Sequence, residues 1–181
     1  NHAYIGVYDG SNLVGKIKAG ALKMPAIGNK RFSFGALADV HVTHDHDNAM
    51  AKFEKAMSYF TNVEKVAFTC IAGDLISNGT SSADQFNRWL AVAAKYPNIH
   101  ATTGNHDVED TTIAPFLTPE STIPYTGYPL YYSFEYGDDV FIMFGMSGWP
   151  NKTGDIFTTE SLQWLYETLE VNRNKRCFVF E

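Results

Sequence analysis

Three apolar runs separated by helix-like segments constrain the fold of this chain more than any other feature. The runs are RFSFGALAD (31–39), VAFTCIAG (66–73) and NIHATTG (98–104), and they follow one another at intervals of about 30 residues. Apolar residues recur at helical spacing in the two intervals: Met50, Phe53, Met57 and Phe60, then Phe86, Trp89, Leu90 and Ala93. Strands that alternate with helices at this spacing predict an α/β fold with βαβ crossovers and a largely parallel sheet covered by helices.

The second half of the chain predicts more strands and one more helix. Residues 131–147 read as two strands that form a hairpin around 137–139. Residues 158–171 are predicted to form a helix, and CFVF (177–180) begins another strand. The apolar face of this helix is expected to consist of Leu162, Leu165 and Leu169.

Composition excludes several classes of partner. The chain of 181 residues carries 14 basic and 20 acidic residues, and its net charge of −6 argues against broad binding to nucleic acid or to anionic membranes. No apolar run approaches the roughly 18 residues that span a bilayer. The two cysteines, Cys70 and Cys177, do not form a disulfide framework, and each lies in an apolar run typical of a buried thiol. We expect a folded protein with neither a nucleic-acid partner nor a membrane span.

Each of the three apolar runs ends in a short polar motif. Asp-Val-His follows the first run at 39–41, Gly-Asp-Leu the second at 73–75, and Gly-Asn-His-Asp the third at 104–107. In open α/β sheets, ligands bind in the crevice beyond the carboxyl ends of the strands. The three motifs are therefore expected to bring Asp, His and Asn side chains to one edge of one sheet.

The chemistry of this edge favours bound cations. Two carboxylates about 4 Å apart repel each other by roughly 4 kcal/mol at an effective dielectric constant of about 20. A fold that gathers Asp39 and Asp74 therefore either protonates one of them or binds cations between them. His41 and Asn105 add neutral nitrogen and oxygen donors, a mixed set that suits Mn, Fe, Zn or a similar divalent ion. The glycines before Asp74 and Asn105 suit tight turns in which a larger residue would obstruct the backbone.

These motifs, in this order, resemble the signature of the calcineurin-like metallophosphoesterase superfamily, which runs D-x-H, G-D and G-N-H-D/E, each just after a β-strand. The resemblance covers about residues 32–181 and implies a layered α/β fold of the metallophosphoesterase type. Residues 32–181 are then the N-terminal part of the metallophosphoesterase domain, and residues 1–31 are a β segment that reads as the tail of a preceding β-domain. A preceding β-domain favours an exported protein of bacterial type.

The resemblance implies a role for each motif residue. The implied metal ligands are Asp39 and His41 for the first ion, Asp74 bridging both ions, and Asn105 for the second. His106 corresponds to the histidine that contacts the phosphate and assists the leaving oxygen, and Asp107 would orient it. The implied function is hydrolysis of a small phosphorylated substrate, in which two divalent ions generate a metal-bound hydroxide that attacks phosphorus in line, with no covalent enzyme intermediate.

The superfamily signature continues with a histidine after a later strand and with G-H-x-H. In this chain no histidine follows His106, and the sequence ends at Glu181. We therefore expect a truncated chain, whose dinuclear site lacks several family ligands and binds metal weakly. Turnover by this chain alone is left open.

Two other functions fit parts of the pattern. A non-catalytic module on the same fold can bind metal or phosphate, but such a module would usually lose a ligand or the histidine of G-N-H-D, and here each of these positions is intact. A nuclease would use a basic groove, which this portion of the sequence lacks. The enzyme is therefore the preferred interpretation, with a phosphodiester, phosphomonoester, nucleotide or phospholipid as its substrate.

Simpler structural roles also account for single residues. Asp39 and Asp74 can cap helices or form turns. Asn105 suits a turn with positive φ, and His106 can be a turn histidine bonded to Asp107. These roles explain each residue alone, whereas the metal site explains why all of them follow strands.

The segment His-Asp-His-Asp at 44–47 comes directly after the first motif. We expect it to be a solvated loop at the rim of the site, with Asp47 as the N-cap of the following helix. His44 or His46 would then be placed to touch substrate phosphate, or to occupy vacant metal positions in a truncated chain.

Overall fold

The chain folds into two compact units, Asn1–Arg31 and Phe32–Glu181. The computed structural model describes residues 4–9, 12–18, 32–43, 48–77, 82–108, 130–146 and 157–181. The first unit contains two antiparallel strands, β1 (Tyr4–Asp9) and β2 (Asn12–Lys18). The assignment of this unit to a preceding β-domain stays a prediction.

The three apolar runs form a parallel sheet in the second unit. Its strands, hydrogen-bonded in sequence order, are β3 (Gly35–Ala38), β4 (Thr69–Ala72) and β5 (Ile99–Ala101). A helix connects each strand to the next: α1 (Ala49–Ser58), extended by a π-helical segment (Tyr59–Glu64), and α2 (Ser82–Ala93). The predicted βαβ crossovers are confirmed, and the carboxyl ends of the three strands share one edge.

A second sheet of three strands is mixed. The predicted hairpin is confirmed as β6 (Tyr131–Tyr136) and β7 (Asp139–Phe144), and β8 (Arg176–Phe180) pairs parallel with β7. Gly137 in the hairpin turn has a φ of 62°, a conformation that glycine adopts at little cost. Asp139, predicted as a turn residue, is instead the first residue of β7, where its Oδ1 accepts a hydrogen bond from Arg176 Nε at 2.9 Å.

The apolar spacing of α1 and α2 marks their buried faces. Phe53 and Met57 of α1 and Trp89 of α2 are at most 4% exposed. The residue at the N-cap of α1 is Asn48 and not the predicted Asp47, which lies outside the described residues. No helix within the described ranges is long and apolar enough to cross a lipid bilayer.

The third helix, α3 (Thr159–Val171), turns a different face to the core from the one predicted. Leu162 and Leu169 are 49% and 37% exposed, whereas Trp164 and Leu165 pack on the second sheet. The predicted face was therefore wrong in two of its three leucines. Leucine spacing marked one line along the helix, but the large ring of Trp164 gives the neighbouring line more apolar surface to bury.

Alternating side chains sort the core into three apolar layers. On β4, Ile71 packs with α1 and α2, whereas Cys70 packs with the second sheet; on β7, Phe141 lies between the sheets and Ile142 lies under α3. The layer between the sheets is rich in aromatic residues, including Phe32, Phe34, Phe68, Tyr132, Phe134 and Phe178. The second unit is thus ordered helix, sheet, sheet, helix, which confirms the layered α/β fold.

Candidate metal centre

The hydrogen bonds of the first sheet continue beyond β3 and β4 into the first two motifs. His41 N donates to Asp74 O at 2.9 Å. Val42 N donates to Leu75 O at 3.1 Å, and Val42 forms an isolated parallel bridge with Ile76. Because this pairing fixes the register, the two motifs leave the sheet side by side.

His41, Asp74 and His106, one from each motif, converge at this edge. Each offers one ligand atom, and the three atoms lie within 4.8 Å of one another. His41 Nε2 is 3.5 Å from Asp74 Oδ2 and 3.7 Å from Asp39 Oδ1, and the rings of His41 and His106 meet edge-on with their centroids 4.8 Å apart. Asp74 is 8% exposed, whereas the side chain of Asp39 is 69% exposed. The structure therefore brings the three motifs together at one point.

The spacing of His41 Nε2 and Asp74 Oδ2 fits a divalent cation better than it fits a direct hydrogen bond. Charge-assisted N–H···O bonds are about 2.7–2.9 Å long, which is shorter than either distance from His41 Nε2 to a carboxylate. Ligand atoms bound at about 2.1 Å in a tetrahedral arrangement lie about 3.4 Å apart, close to the 3.5 Å between His41 Nε2 and Asp74 Oδ2. Imidazole nitrogen with carboxylate oxygen also suits several divalent transition metals.

Left-handed backbone conformations are concentrated in the first two motifs. Asp39, His41 and Asp74 have φ values of 52°, 48° and 48°, and Gly73 has a φ of 55°. For residues other than glycine this conformation costs roughly 1–2 kcal/mol each. Such residues cluster where the surrounding structure holds them for a function, which supports a functional rather than a capping role for this edge.

Gly104 allows the third motif to pass close to the second. A Cβ at Gly104 would lie 2.3 Å from Asp74 Oδ1 and 2.4 Å from Asp74 N. Both distances are far inside van der Waals contact, and one of the atoms belongs to the backbone. The tight turn expected before Asn105 therefore requires glycine.

Asp107 links the second and third motifs through hydrogen bonds to both. Its carboxylate accepts three backbone hydrogen bonds, from Gly104 N at 2.7 Å, Leu75 N at 3.1 Å and Ile76 N at 3.0 Å. Burial raises the pKa of Asp107 to about 7, against the lowering effect of these three N–H donors. The side chain is 2% exposed, so its hydrogen bonds serve to hold the two turns together.

The Gly-Asn-His-Asp turn holds His106 against Asp74. His106 N donates to Asp74 Oδ1 at 3.0 Å, and the other oxygen of Asp74 is the one that faces His41. Asn105 is half-buried in the same turn. The role of Asn105 as a ligand, that of His106 at the phosphate, and the orientation of His106 by Asp107 all stay predictions.

Part of the predicted site lies outside the described residues, and one contact of the site was not predicted. His44, Asp45, His46 and Asp47 are outside the described residues, so their place at the rim stays a prediction. The contact that sequence reasoning missed is made by Ser77, whose Oγ lies 3.1 Å from His41 Nδ1. A serine three residues after Asp74 matches no motif, so the sequence offers no signal for it.

A cavity of about 400 Å³ opens beside the site, between the end of β3 and α1. Asp39 and His41 line it together with Lys52 and Phe53. Cavities of about 300–1,000 Å³ bind small molecules in proteins, and Lys52 adds a positive charge that suits an anionic ligand.

Comparison with known sequences gives one family. The sequence profile of the calcineurin-like phosphoesterase family matches residues 32–178. This range contains all three motifs and the described elements from β3 to α3. No curated protein matches the chain.

Comparison with solved structures gives phosphatases with low sequence identity. A dimetal phosphatase from Danio rerio is 16% identical, with a TM-score of 0.62 over 83% of this chain and 69% of that chain. A purple acid phosphatase from yellow lupin (Lupinus luteus) seeds is also 16% identical, with a TM-score of 0.47 over 76% of this chain and 27% of that chain. The first likeness concerns the fold alone.

Proposed function

The chain belongs to the calcineurin-like phosphoesterase family, and from this premise we propose that it acts as a hydrolase of phosphoester bonds with two divalent metal ions at its strand ends. The observation that carries the proposal is the convergence of His41, Asp74 and His106 from three motifs. A chance group of acidic residues would not combine two imidazoles with a nearly buried carboxylate on strained backbone.

Four residues would hold the metal ions, as the family resemblance implies: Asp39, His41, Asp74 and Asn105. Both carboxylates of this set flank His41 Nε2, that of Asp74 at 3.5 Å and that of Asp39 at 3.7 Å. Mn, Fe or Zn all suit this donor set. When bound, such ions make hydroxide available near neutral pH and stabilise charge on the phosphoryl oxygens.

His106 is proposed to contact the phosphate and to give a proton to the leaving oxygen. Its backbone is tied to Asp74 by the 3.0 Å hydrogen bond, and its ring edge lies against His41. The imidazole is therefore fixed beside the proposed ligands, where a general acid would be within reach of a phosphoester oxygen. Substitution separates this role from metal binding: His106→Gln is expected to retain metal and to lose turnover by about 10²-fold or more.

The experiment that tests the proposal combines a metal titration with a hydrolysis assay. Mn²⁺ binding is measured by calorimetry, and turnover with bis(p-nitrophenyl) phosphate and p-nitrophenyl phosphate, so that diester and monoester hydrolysis are compared. Asp74→Asn is expected to abolish both binding and turnover. Asp84→Asn is the matched control, because Asp84 lies on α2 in a half-exposed ion pair with Arg88; it should change neither.

The outcomes separate the enzyme from its alternative. The proposal is contradicted if the wild type binds no Mn²⁺, or if Asp74→Asn binds Mn²⁺ as well as the wild type does. Mn²⁺ binding without hydrolysis of either ester supports the non-catalytic metal- or phosphate-binding module instead. Turnover of one ester in preference to the other assigns the chain to phosphodiesterases or phosphomonoesterases.

A further inference from the structure

Ser77 makes two contacts with His41, one with its backbone carbonyl oxygen and one with its ring. Its Oγ donates a hydrogen bond to His41 O at 3.1 Å, and the same Oγ lies 3.1 Å from His41 Nδ1. A serine hydroxyl has a single proton to donate. The carbonyl oxygen can only accept, so a hydroxyl proton donated to it leaves Oγ as an acceptor toward Nδ1, and the contact with Nδ1 then requires the hydrogen to be on Nδ1.

We propose that Ser77 is a positioning residue that holds His41 in the Nδ1–H tautomer, so that the lone pair of Nε2 is directed at the metal site. The inference rests on the proposed function in one respect, namely that a metal ion uses this lone pair. The tautomer itself is a property of the metal-free chain and can be measured there.

The surroundings of Nε2 agree with this assignment. In the Nδ1–H tautomer, Nε2 is an acceptor that faces two further acceptors, Asp74 Oδ2 at 3.5 Å and Asp39 Oδ1 at 3.7 Å. Three acceptors with no proton between them repel one another, and a divalent cation satisfies all three. An N–H at Nε2 would draw a carboxylate to about 2.7–2.9 Å, which is not the spacing found.

Ser77 is itself held in place from two directions. Its backbone N–H is shared between Gln85 Oε1 at 3.0 Å and Val42 O at 3.2 Å. Gln85 is 4% exposed on α2, so its position is fixed by the packing of that helix. The contacts therefore run from α2 through Ser77 to the His41 ring, and the ring cannot rotate away without breaking them.

Loss of the acceptor that holds a ligating histidine lowers metal affinity or activity by a known factor. A ligating histidine usually donates its other N–H to a fixed acceptor, and removal of that acceptor costs about 10–100-fold in metal affinity or activity. Ser77→Ala is therefore expected to weaken Mn²⁺ binding by about that factor. Ser77→Thr keeps the hydroxyl and should restore most of the affinity.

The decisive measurement is the tautomer of His41 in the 181-residue chain without metal. Histidine ¹⁵N chemical shifts are recorded with EDTA at about pH 8, and the His41 signals are identified by their loss in His41→Gln. We expect Nδ1–H in the wild type and in Ser77→Thr, and a mixture of both tautomers in Ser77→Ala. Ser161→Ala is the matched control, since Ser161 is a buried serine on α3 whose Oγ also donates to a backbone carbonyl.

Each outcome decides the inference. An Nε2–H tautomer in the wild type overturns it, and so does an Nδ1–H tautomer that persists in Ser77→Ala. The wild-type spectrum alone is a sufficient test if Ser77→Ala does not fold, which circular dichroism would reveal. A tautomer that depends on Ser77, in a chain that binds no Mn²⁺, upholds the positioning role and counts against the proposed metal function.

Discussion

Gly104 is the position at which a single added methyl group should do most damage to the site. In Gly104→Ala the new Cβ would overlap Asp74 Oδ1 and Asp74 N, and relief of the overlap must move one motif away from the other. We expect a loss of about 1–3 kcal/mol in the free energy of unfolding, together with the loss of Mn²⁺ binding, measured by urea denaturation and calorimetry.

Gly137→Ala is the control for Gly104→Ala. Gly137 also resists substitution, because its φ is 62°, but the nearest atom to its Cβ is Phe32 Cε1 at 3.9 Å, so only backbone strain is added. Both variants should lose stability, and only Gly104→Ala should lose the metal. Equal Mn²⁺ affinity in the two variants would contradict the steric argument.

The place of a site residue was predictable from the sequence where the residue comes just after a strand. Asp39 comes directly after β3 and Asp74 two residues after β4, so the parallel sheet carries both to one edge whatever the details of packing. Ser77 was not predictable in this way. Its partner His41 is 36 positions away, and the contact depends on the register in which the two motifs pair beyond the strands.

The exposed Leu162 and the packed Leu165 of α3 give a prediction at the scale of an element. Leu162→Ala is expected to change the free energy of unfolding by no more than about 0.5 kcal/mol, because Leu162 is 49% exposed and Ala is as good a helix former. Leu165→Ala removes side-chain atoms that pack on Val140, Ile142 and Phe144, and should cost about 1–2 kcal/mol. Urea denaturation of both variants measures the difference, and equal losses would show that the exposed line packs after all.

A second prediction at this scale concerns the histidine of β5. The His100 ring stacks on Phe134 with centroids 3.8 Å apart, and its Nδ1 lies 3.4 Å from the Tyr132 hydroxyl oxygen. Burial lowers the pKa of His100 to about 4. An unfolded chain binds this proton near pH 6.5, so the unfolded state takes up more protons between these values and stability must fall as the pH falls through this range.

The measurement is the melting temperature between about pH 7 and pH 4, compared between the wild type and His100→Gln. Glutamine does not titrate, so the variant should lose several degrees less than the wild type across this window. The other histidines are common to both proteins and cancel in the comparison. Parallel curves would mean that His100 is protonated in the fold without penalty.

Whole-molecule architecture was predictable in its layers but not in its division into two sheets. The runs that became β3, β4 and β5 are short, apolar and separated by helices, a pattern with few other solutions. The residues of β7 are apolar on both faces, and a continuous apolar run indicates burial without indicating which side packs on what. Phe141 and Met143 share an apolar cluster with Phe68 and Cys70 only because the hairpin lies face to face with the first sheet.

The three apolar layers of the second unit do not include the site, so the fold should persist without metal and gain stability when metal binds. A ligand that binds only the folded state adds about 2.7 kcal/mol at a hundredfold excess over its dissociation constant. For a chain of this size that corresponds to a rise of roughly 5–10 °C in the melting temperature. We expect Mn²⁺ to produce this shift in the wild type, EDTA to reverse it, and Asp74→Asn to show none.

Far-UV circular dichroism should be the same with and without Mn²⁺, because the cation relieves repulsion among groups already held in place by the strand ends. A helical or strand signal that appears only with Mn²⁺ would mean instead that the metal builds this edge of the sheet.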